Sequence, residues 1–410
     1  GDRRAVVPVL LSTKGYGIFW DNYSYTRFDD SDGKGQLWSE VGDAVNYYFI
    51  YGPDADAVIG RYRQLTGQAP MFPKWAFGFI QSKERYKSQD EVIAVAREYR
   101  ERKIPMDVIV QDWRYWKDGH WGQKSFDSER FPDPAGMMKT LHEEYNARLM
   151  ISVWPKMGRD TANYAEMAAR PGFLYAPEEK EPFYDAFNPA ARDLYWKQAN
   201  EGIFSHGVDA WWCDATEPEV DGWDFNIDGY KRNMKPMIGS GARYMNAYSL
   251  MHSKGVYENQ RRTTDSKRVV NLTRSAFAGQ QKYATITWSG DINATWDVFR
   301  AQIPAGLNFS MSGLPYWTMD IGGFFVQSAS VGKLGNGMWF REGGYDGGVE
   351  DEEYRELYVR WFQYGAFCPI FRTHGTDIER EVWAFGEPGD WAYDALLQAD
   401  RLRYRLVPYI

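Results

Sequence analysis

Asp209-Ala210-Trp211-Trp212-Cys213-Asp214-Ala215-Thr216-Glu217-Pro218 is a short apolar run that stops on a carboxylate and is closed by a proline. A brief, unbroken apolar stretch bounded by turn residues reads as a strand buried on both faces, the kind found in parallel sheets. The pattern recurs at Trp75–Ile80, Met106–Gln111, Arg148–Val153, Arg268–Leu272, Ala284–Trp288, Leu314–Met319 and Phe367–Phe371. Eight such runs, most with a helical stretch behind them, predict an α/β fold: a (β/α)8 TIM barrel over residues 75–410. The helices carry their own signals. Ser88 with Glu91 forms a capping box ahead of Val92, Val95, Ala96 and Tyr99 on one face. Asp133-Pro134 and Asn188-Pro189 each place an N-cap before a proline at the first helical position. The stretch around 215–267 is longer than one crossover helix needs and reads as an insertion.

Upstream of the barrel the pattern is β. Val6–Leu11, Tyr16–Trp20 and Val45–Tyr51 are strand-like, and Asp30-Ser31-Asp32-Gly33 reads as a polar hairpin turn. The later ligands of a calcium loop are missing there. Asp54–Leu65 predicts a helix. Residues 1–53 are therefore expected to be β structure and 54–74 a linking helix and connection.

Composition narrows the function. A net charge of −8 leaves no basic stripe for a nucleic acid to follow. Aromatic residues make up 17% of the chain, with 18 Trp. Aromatic faces stack on sugar rings, although Trp also fills large cores. Cys213 and Cys368 alone cannot build a disulfide framework. No apolar run approaches the roughly 20 residues of a membrane span. Gly1-Asp2-Arg3-Arg4 lacks the apolar stretch of a signal peptide. The abrupt start and the stop at Val407-Pro408-Tyr409-Ile410 suggest an excerpt of a longer protein.

In a barrel of this kind chemistry gathers at the carboxyl ends of the strands. Gln111-Asp112-Trp113 ends the second run, Trp154-Pro155 follows the third and Asp214 ends the fourth. Thr273-Arg274 follows the fifth, Trp288-Ser289-Gly290-Asp291 the sixth, Asp320-Ile321-Gly322-Gly323 the seventh, and Arg372-Thr373-His374-Gly375 the eighth. A lone Asp at such a position is often a helix cap, Asp320 could merely stabilise a turn, and His374 could be a core histidine. Cys213 reads as packing beneath Asp214. Carboxylates at successive strand ends fit cleavage of a sugar acetal, which needs one carboxylate at the oxocarbenium-like centre and one acid for the leaving oxygen. No zinc-binding His-Glu-x-x-His, phosphate-cradling Gly-x-x-x-x-Gly-Lys or esterase Gly-x-Ser-x-Gly pattern occurs.

From about Gly17 to Ile410 the chain resembles the family 31 glycoside hydrolases. The resemblance rests on Trp211–Pro218, similar to the family's Trp-x-Asp-x-x-Glu-Pro segment, and on Arg274 followed by Trp288-Ser289-Gly290-Asp291-Ile292-Asn293-Ala294-Thr295-Trp296. It implies Asp214 as nucleophile and Asp291 as general acid/base of a retaining enzyme. It implies that Asp112, Arg274, Asp320 and His374 hydrogen-bond the sugar and that Trp212, Trp288 and Phe324 form its apolar wall. Neither a metal nor a cofactor is implied. Residues 1–53 would be the end of an N-terminal β-sandwich, and the family's C-terminal β-domains would be absent from this chain. Asp-Ala-Thr-Glu-Pro together with Phe79–Tyr86 looks most like the α-xylosidases that trim xyloglucan, with a periplasmic or secreted location favoured on that reading. An α-glucosidase or α-transglucosylase, an α-galactosidase-like enzyme on a related barrel, and an inactive sugar-binding barrel stay open. The expected partner is an oligosaccharide. Oligomeric state is not legible.

Overall fold

The computed structural model describes residues 6–175, 180–218, 234–332, 341 and 343–410. The leading Gly1–Arg4 and part of the insertion around 215–267 therefore lie outside the described residues.

Five strands open the chain: β1 (Val9–Ser12), β2 (Tyr16–Trp20), β3 (Thr26–Asp29), β4 (Gln36–Ser39) and β5 (Tyr47–Tyr51). β1, β2 and β5 form one antiparallel sheet and β3 with β4 a hairpin. At the hairpin turn Asp29 accepts from Ser31 N at 3.0 Å and Asp32 from Lys34 N at 2.9 Å, and Gly33 holds φ +74°. The turn is as expected, but the short strands beside it, each with intermediate or exposed residues only, had no apolar run to announce them. Asp54 caps the helix Ala55–Thr66 by accepting from Ala57 N at 2.8 Å. That helix sets Val58 and Tyr62 against Phe19 and Ile50. The outer side of β5 is uncovered among the described residues, with Tyr47, Phe49 and Tyr51 exposed.

The barrel strands follow: β6 (Phe79–Gln81), β7 (Val108–Gln111), β8 (Arg148–Val153), β9 (Ala210–Cys213), β10 (Asn271–Thr273), β11 (Thr285–Trp288), β12 (Trp317–Thr318) and β13 (Phe371–Arg372). Among the described residues they form one eight-stranded parallel sheet, in sequence order except that β13 pairs with β6. The ring is completed between its two ends by a parallel bridge Ile321↔Thr373 and by Ile370 N donating to Trp317 O at 3.3 Å. This is the expected (β/α)8 barrel.

Period-two alternation splits the strands cleanly between two cores. Val108, Val110, Met150, Ala210, Trp212, Leu272, Ile286 and Trp288 share the cluster inside the barrel. Ile109, Leu149, Ile151, Trp211 and Cys213 pack outward with Val92, Ala96, Leu141 and Val256 of the surrounding helices. Both faces are buried, which is why the strands read as unbroken apolar runs.

Seven of the eight strands are shorter than their apolar runs, and three of them for a plain local reason. Trp75 sits in a 3-10 turn, Lys74–Phe77, entered from Pro73. Leu314 N still serves the preceding helix, donating to Phe309 O at 3.1 Å, and Pro315 has no N–H, so pairing waits until Trp317. Phe367 and Cys368 are spent on a turn, donating to Tyr364 O and Gly365 O at 3.0 Å each.

Candidate active site

At the carboxyl ends of the strands lies a pocket of about 70 Å³. Among the described residues it is lined by four carboxylates (Glu84, Asp112, Asp214, Asp291), six aromatic rings (Trp113, Trp121, Trp154, Trp212, Phe324, Phe325), Arg274 and His374.

Asp214 is the first residue past β9. Its backbone N–H donates to Val153 O of β8 at 3.2 Å, and its Oδ1 accepts from Ala215 N at 2.8 Å. Ala215 takes a left-handed φ of +54°, a conformation that costs an L-residue about 1–2 kcal/mol. The chain turns there sharply out of the strand. Arg274, one residue past β10, lies 3.4 Å from Asp214 Oδ1. Its guanidinium is held by both oxygens of Glu217, through Nε and through Nη2 at 3.3 Å. Thr216 and Thr273 join hydroxyls at 2.8 Å across the same two strand ends. The Glu of the Asp-x-x-Glu-Pro segment thus fixes the arginine that fixes the aspartate.

Asp291 hangs on the loop after β11, which is tied to the loop after β12. Phe324 N donates to Ile292 O at 2.6 Å, Ala294 N donates to Phe325 O at 2.9 Å, and Asn293 bridges Phe325. The pairing sets Phe324 and Asp291 into one wall.

Asp112 follows β7 and accepts from Trp113 N at 2.6 Å. Burial first, and then the charges of Glu84, Asp214 and Asp291, push its carboxyl well above the usual carboxylate range. That places four acidic groups within electrostatic reach of one another. His374 follows β13. Its Nδ1 meets Ser82 Oγ at 2.8 Å, its Nε2 is 3.9 Å from Asp112 Oδ2, and its ring stands edge-on to Trp212 at 4.6 Å. Burial, reinforced by Arg372 and Arg380, holds its pKa well below 6.5, so the ring is neutral. A neutral imidazole can both give and take hydrogen bonds, as a sugar hydroxyl requires.

Seven of the nine expected site residues line the pocket; Asp320 and Trp288 do not. Trp288 packs edge-on behind Trp212 at 5.4 Å. Asp320 is fully buried against Arg372, whose guanidinium lies over Trp212 and Trp288 at 5.3 and 5.7 Å. Burial raises the Asp320 carboxyl against the opposing pull of Arg372. Both side chains are buried beside Trp212 and Arg372. Cys213 is buried on the outward face, under Asp214 in sequence but away from the pocket.

Glu84, Trp113, Trp121, Trp154 and Phe325 were not expected as lining residues. Trp113 and Trp154 stand directly behind strand ends, so the strand-end rule could have found them. Glu84 lies three residues past β6, and its carboxylate accepts from Trp113 Nε1 and Arg85 at 3.0 Å each and from Thr376 at 3.3 Å. Trp121 arrives from a loop ten residues beyond β7, and nothing local marks it. Among the described residues no group of three or more His, Cys, Asp or Glu could hold a metal ion.

The family model for the glycosyl hydrolases family 31 TIM-barrel domain matches residues 69–410. An α-xylosidase of Saccharolobus solfataricus is 46% identical over 404 residues, which cover 98% of this chain and 51% of that protein. An α-xylosidase of Xanthomonas citri of solved structure superposes with a TM-score of 0.83 at 43% identity, covering 91% of this chain and 40% of that one. A soil-metagenome α-xylosidase solved with xylose superposes over 100% of this chain and 60% of its own, at 32% identity and a TM-score of 0.87. The chain spans about half the length of the curated relatives it matches.

Proposed function

Because the chain belongs to glycoside hydrolase family 31, we propose that it carries the active site of a retaining, exo-acting α-xylosidase that releases terminal α-linked xylose from xyloglucan oligosaccharides. One observation carries most weight: Asp214 and Asp291 line a single pocket of about 70 Å³. So small a pocket suits one terminal sugar better than a chain. Asp214 attacks the anomeric carbon while Asp291 protonates the departing glycosidic oxygen. Asp291 then takes a proton from the incoming water, which releases the sugar from Asp214 with its α configuration retained. Asp112, Arg274 and His374 hydrogen-bond the hydroxyls, and the aromatic walls exclude water.

For the sugar itself, the similarity to α-xylosidases of Saccharolobus solfataricus and Xanthomonas citri supports xylose. Bulky side chains at the fifth carbon would exclude a hydroxymethyl group by shape, and six aromatic rings line the pocket. A second reading, α-glucosidase or α-transglucosylase, draws on α-glucosidase 2 of Bacillus thermoamyloliquefaciens, 29% identical over 419 residues. Aryl α-xyloside, α-glucoside and α-galactoside assayed side by side decide between them. We expect the xyloside to exceed the glucoside in kcat/KM by at least about tenfold, the scale of one group rejected by shape. Faster cleavage of the glucoside would replace xylose by glucose and leave the catalytic pair as assigned.

A further inference from the structure

The loop that carries Asp291 is held by a second loop, and a third loop holds the second. Residues 323–327 pair with residues 292–294 beside Asp291, and they are gripped in turn from the loop after β13. Asp377 accepts through a single oxygen, Oδ2, from Val326 N and Gln327 N at 3.0 Å each and from Arg341 Nη2 at 2.7 Å. Thr376 N donates to Phe324 O at 3.0 Å, and Arg380 Nη2 donates to Gly323 O at 3.0 Å. The side chains of Asp377 and Arg341 are fully buried. Asp377 also holds a φ of +73°. A residue other than glycine keeps such a left-handed backbone only where its surroundings fix it.

We propose that Asp377 is a positioning residue for proton transfer: by clasping residues 323–327 it fixes the loop register that aims Asp291 at the leaving oxygen. The proposal rests on the α-glycosidase reading and adds to it what aims the acid. The loop of Asp291 is tied to residues 324 and 325 by backbone bonds, from Phe324 N and Phe325 N to Ile292 O and from Ala294 N to Phe325 O. Val326 and Gln327, the next two residues, give both their N–H groups to Asp377. Asp214 is held separately, at the end of β9, by Val153 O of β8. Loosening the clasp therefore frees the acid before it frees the nucleophile. A buried ion pair adds little net stability over apolar packing of the same volume. What Asp377 and Arg341 supply instead is geometry. Two consecutive N–H groups and a guanidinium converge on one oxygen, and a loop shifted by one residue would lose all three bonds.

The test uses the intact chain and a series of α-xylosides that differ only in leaving group. α-Xylosyl fluoride departs without an acid, whereas an aryl xyloside needs one more as its phenol becomes more basic. The readout is kcat/KM, which reports the steps up to bond cleavage and so isolates Asp291 as acid from its later duty as base. Asp377→Gly removes the carboxylate and leaves the backbone free to keep its left-handed φ. Asp377→Asn keeps an acceptor oxygen and loses the charge that pairs with Arg341, and it carries the test alone if the glycine variant does not fold. We expect Asp377→Gly to lower kcat/KM about tenfold or more on the xyloside of the most basic phenol, toward the cost of an ångström's misplacement. The loss should shrink as the phenol becomes more acidic, with Asp377→Asn intermediate. Fluoride hydrolysis should stay within about twofold. Equal losses on the fluoride and every aryl xyloside, or no loss on the most basic phenol, overturns the proposal. Absence of fluoride hydrolysis in the unaltered protein overturns the catalytic reading beneath it.

Discussion

Asp214 and Asp291 carry the same functional group and are assigned opposite duties, and their surroundings differ accordingly. Asp214 sits on a rigid strand end beside a guanidinium that Glu217 anchors, whereas Asp291 hangs on a loop with Gly290 at φ +76° before it. Asp214→Ala should abolish turnover on every substrate, because no covalent intermediate can form. Asp291→Ala should still form the intermediate from α-xylosyl fluoride, whose leaving group needs no protonation, and azide should restore part of its turnover on such activated substrates by attacking the intermediate. The readout is kcat and kcat/KM for both variants on fluoride and aryl xyloside, with azide rescue read in kcat. Equal losses on the fluoride would contradict the division of roles. Both positions were legible in sequence, Asp214 because it ends an apolar run and Asp291 because it follows Trp288-Ser289-Gly290 behind another. Glu84 was not: a glutamate in a polar loop looks like any solvated side chain until Gly375 O accepts its backbone N–H at 2.9 Å and draws it inward.

Among elements, the paired loops after β11 and β12 set the site most directly. Gly323 holds φ +80°, and a Cβ there would come within 2.5 Å of the backbone N and Cα of Ala294. Neither backbone can yield without breaking the bridge that places Asp291 beside Phe324. Gly323→Ala should therefore combine left-handed strain of about 1–2 kcal/mol with a displaced acid/base. Its thermal midpoint should fall, and kcat on aryl xyloside should fall at least about tenfold, the cost of roughly 1.4 kcal/mol in the transition state. An unchanged kcat would mean that this loop pairing does not position Asp291. The sequence shows the glycine pair, but not which neighbouring backbone it must avoid. The helix caps, in contrast, were readable outright. Ser88 Oγ accepts from Glu91 N at 3.2 Å, Asp133 from Gly136 N at 2.8 Å and Asn188 from Ala190 N at 3.0 Å. Caps act within one turn, so their whole mechanism lies inside a few consecutive residues. One detail differs: Glu91 reaches back to Lys87 N at 2.7 Å rather than completing the box on Ser88.

Across the whole molecule, packing helices around a barrel buries groups that titrate. His252 is enclosed between helices, with its Nδ1 2.7 Å from Tyr184 Oη, and burial lowers its pKa to about 3, with the nearby Lys124 charge acting in the same direction. The unfolded imidazole takes up a proton below about 6.5, and the folded one does not until about 3. The unfolded state thus binds more protons in that window, and the stability due to His252 is lost as pH falls through it. Lys124, lowered to about 7 by burial, contributes no slope below that pH. Raised carboxyls such as Asp112 and Asp320 slope the opposite way, so the comparison must be between variants. His252→Gln should flatten the fall in unfolding free energy between pH 6.5 and 4.5 by up to about 1.4 kcal/mol per pH unit, measured from urea transitions. Parallel curves would show that His252 does not titrate as its burial requires. A constant offset is expected besides, since Tyr184 loses its nitrogen partner.

The sequence by itself determined the barrel, its strand order and the chemical class of the site. Those features are written in local patterns: apolar runs buried on both faces, caps within single turns, and acids at strand ends. Tertiary structure decided where each side chain lies. Asp320 and Trp288 end strands as visibly as Asp112 and Trp212, yet Asp112 and Trp212 line the pocket while Asp320 and Trp288 are buried behind it. Arg372, from the far end of the chain, pairs with Asp320 inside the barrel. The clasp at Asp377 was equally invisible, because it joins Val326, Arg341 and Asp377 from loops after two different strands. Loops of that kind take their positions from the sheet that carries them, and no spacing along the chain records the distance between them.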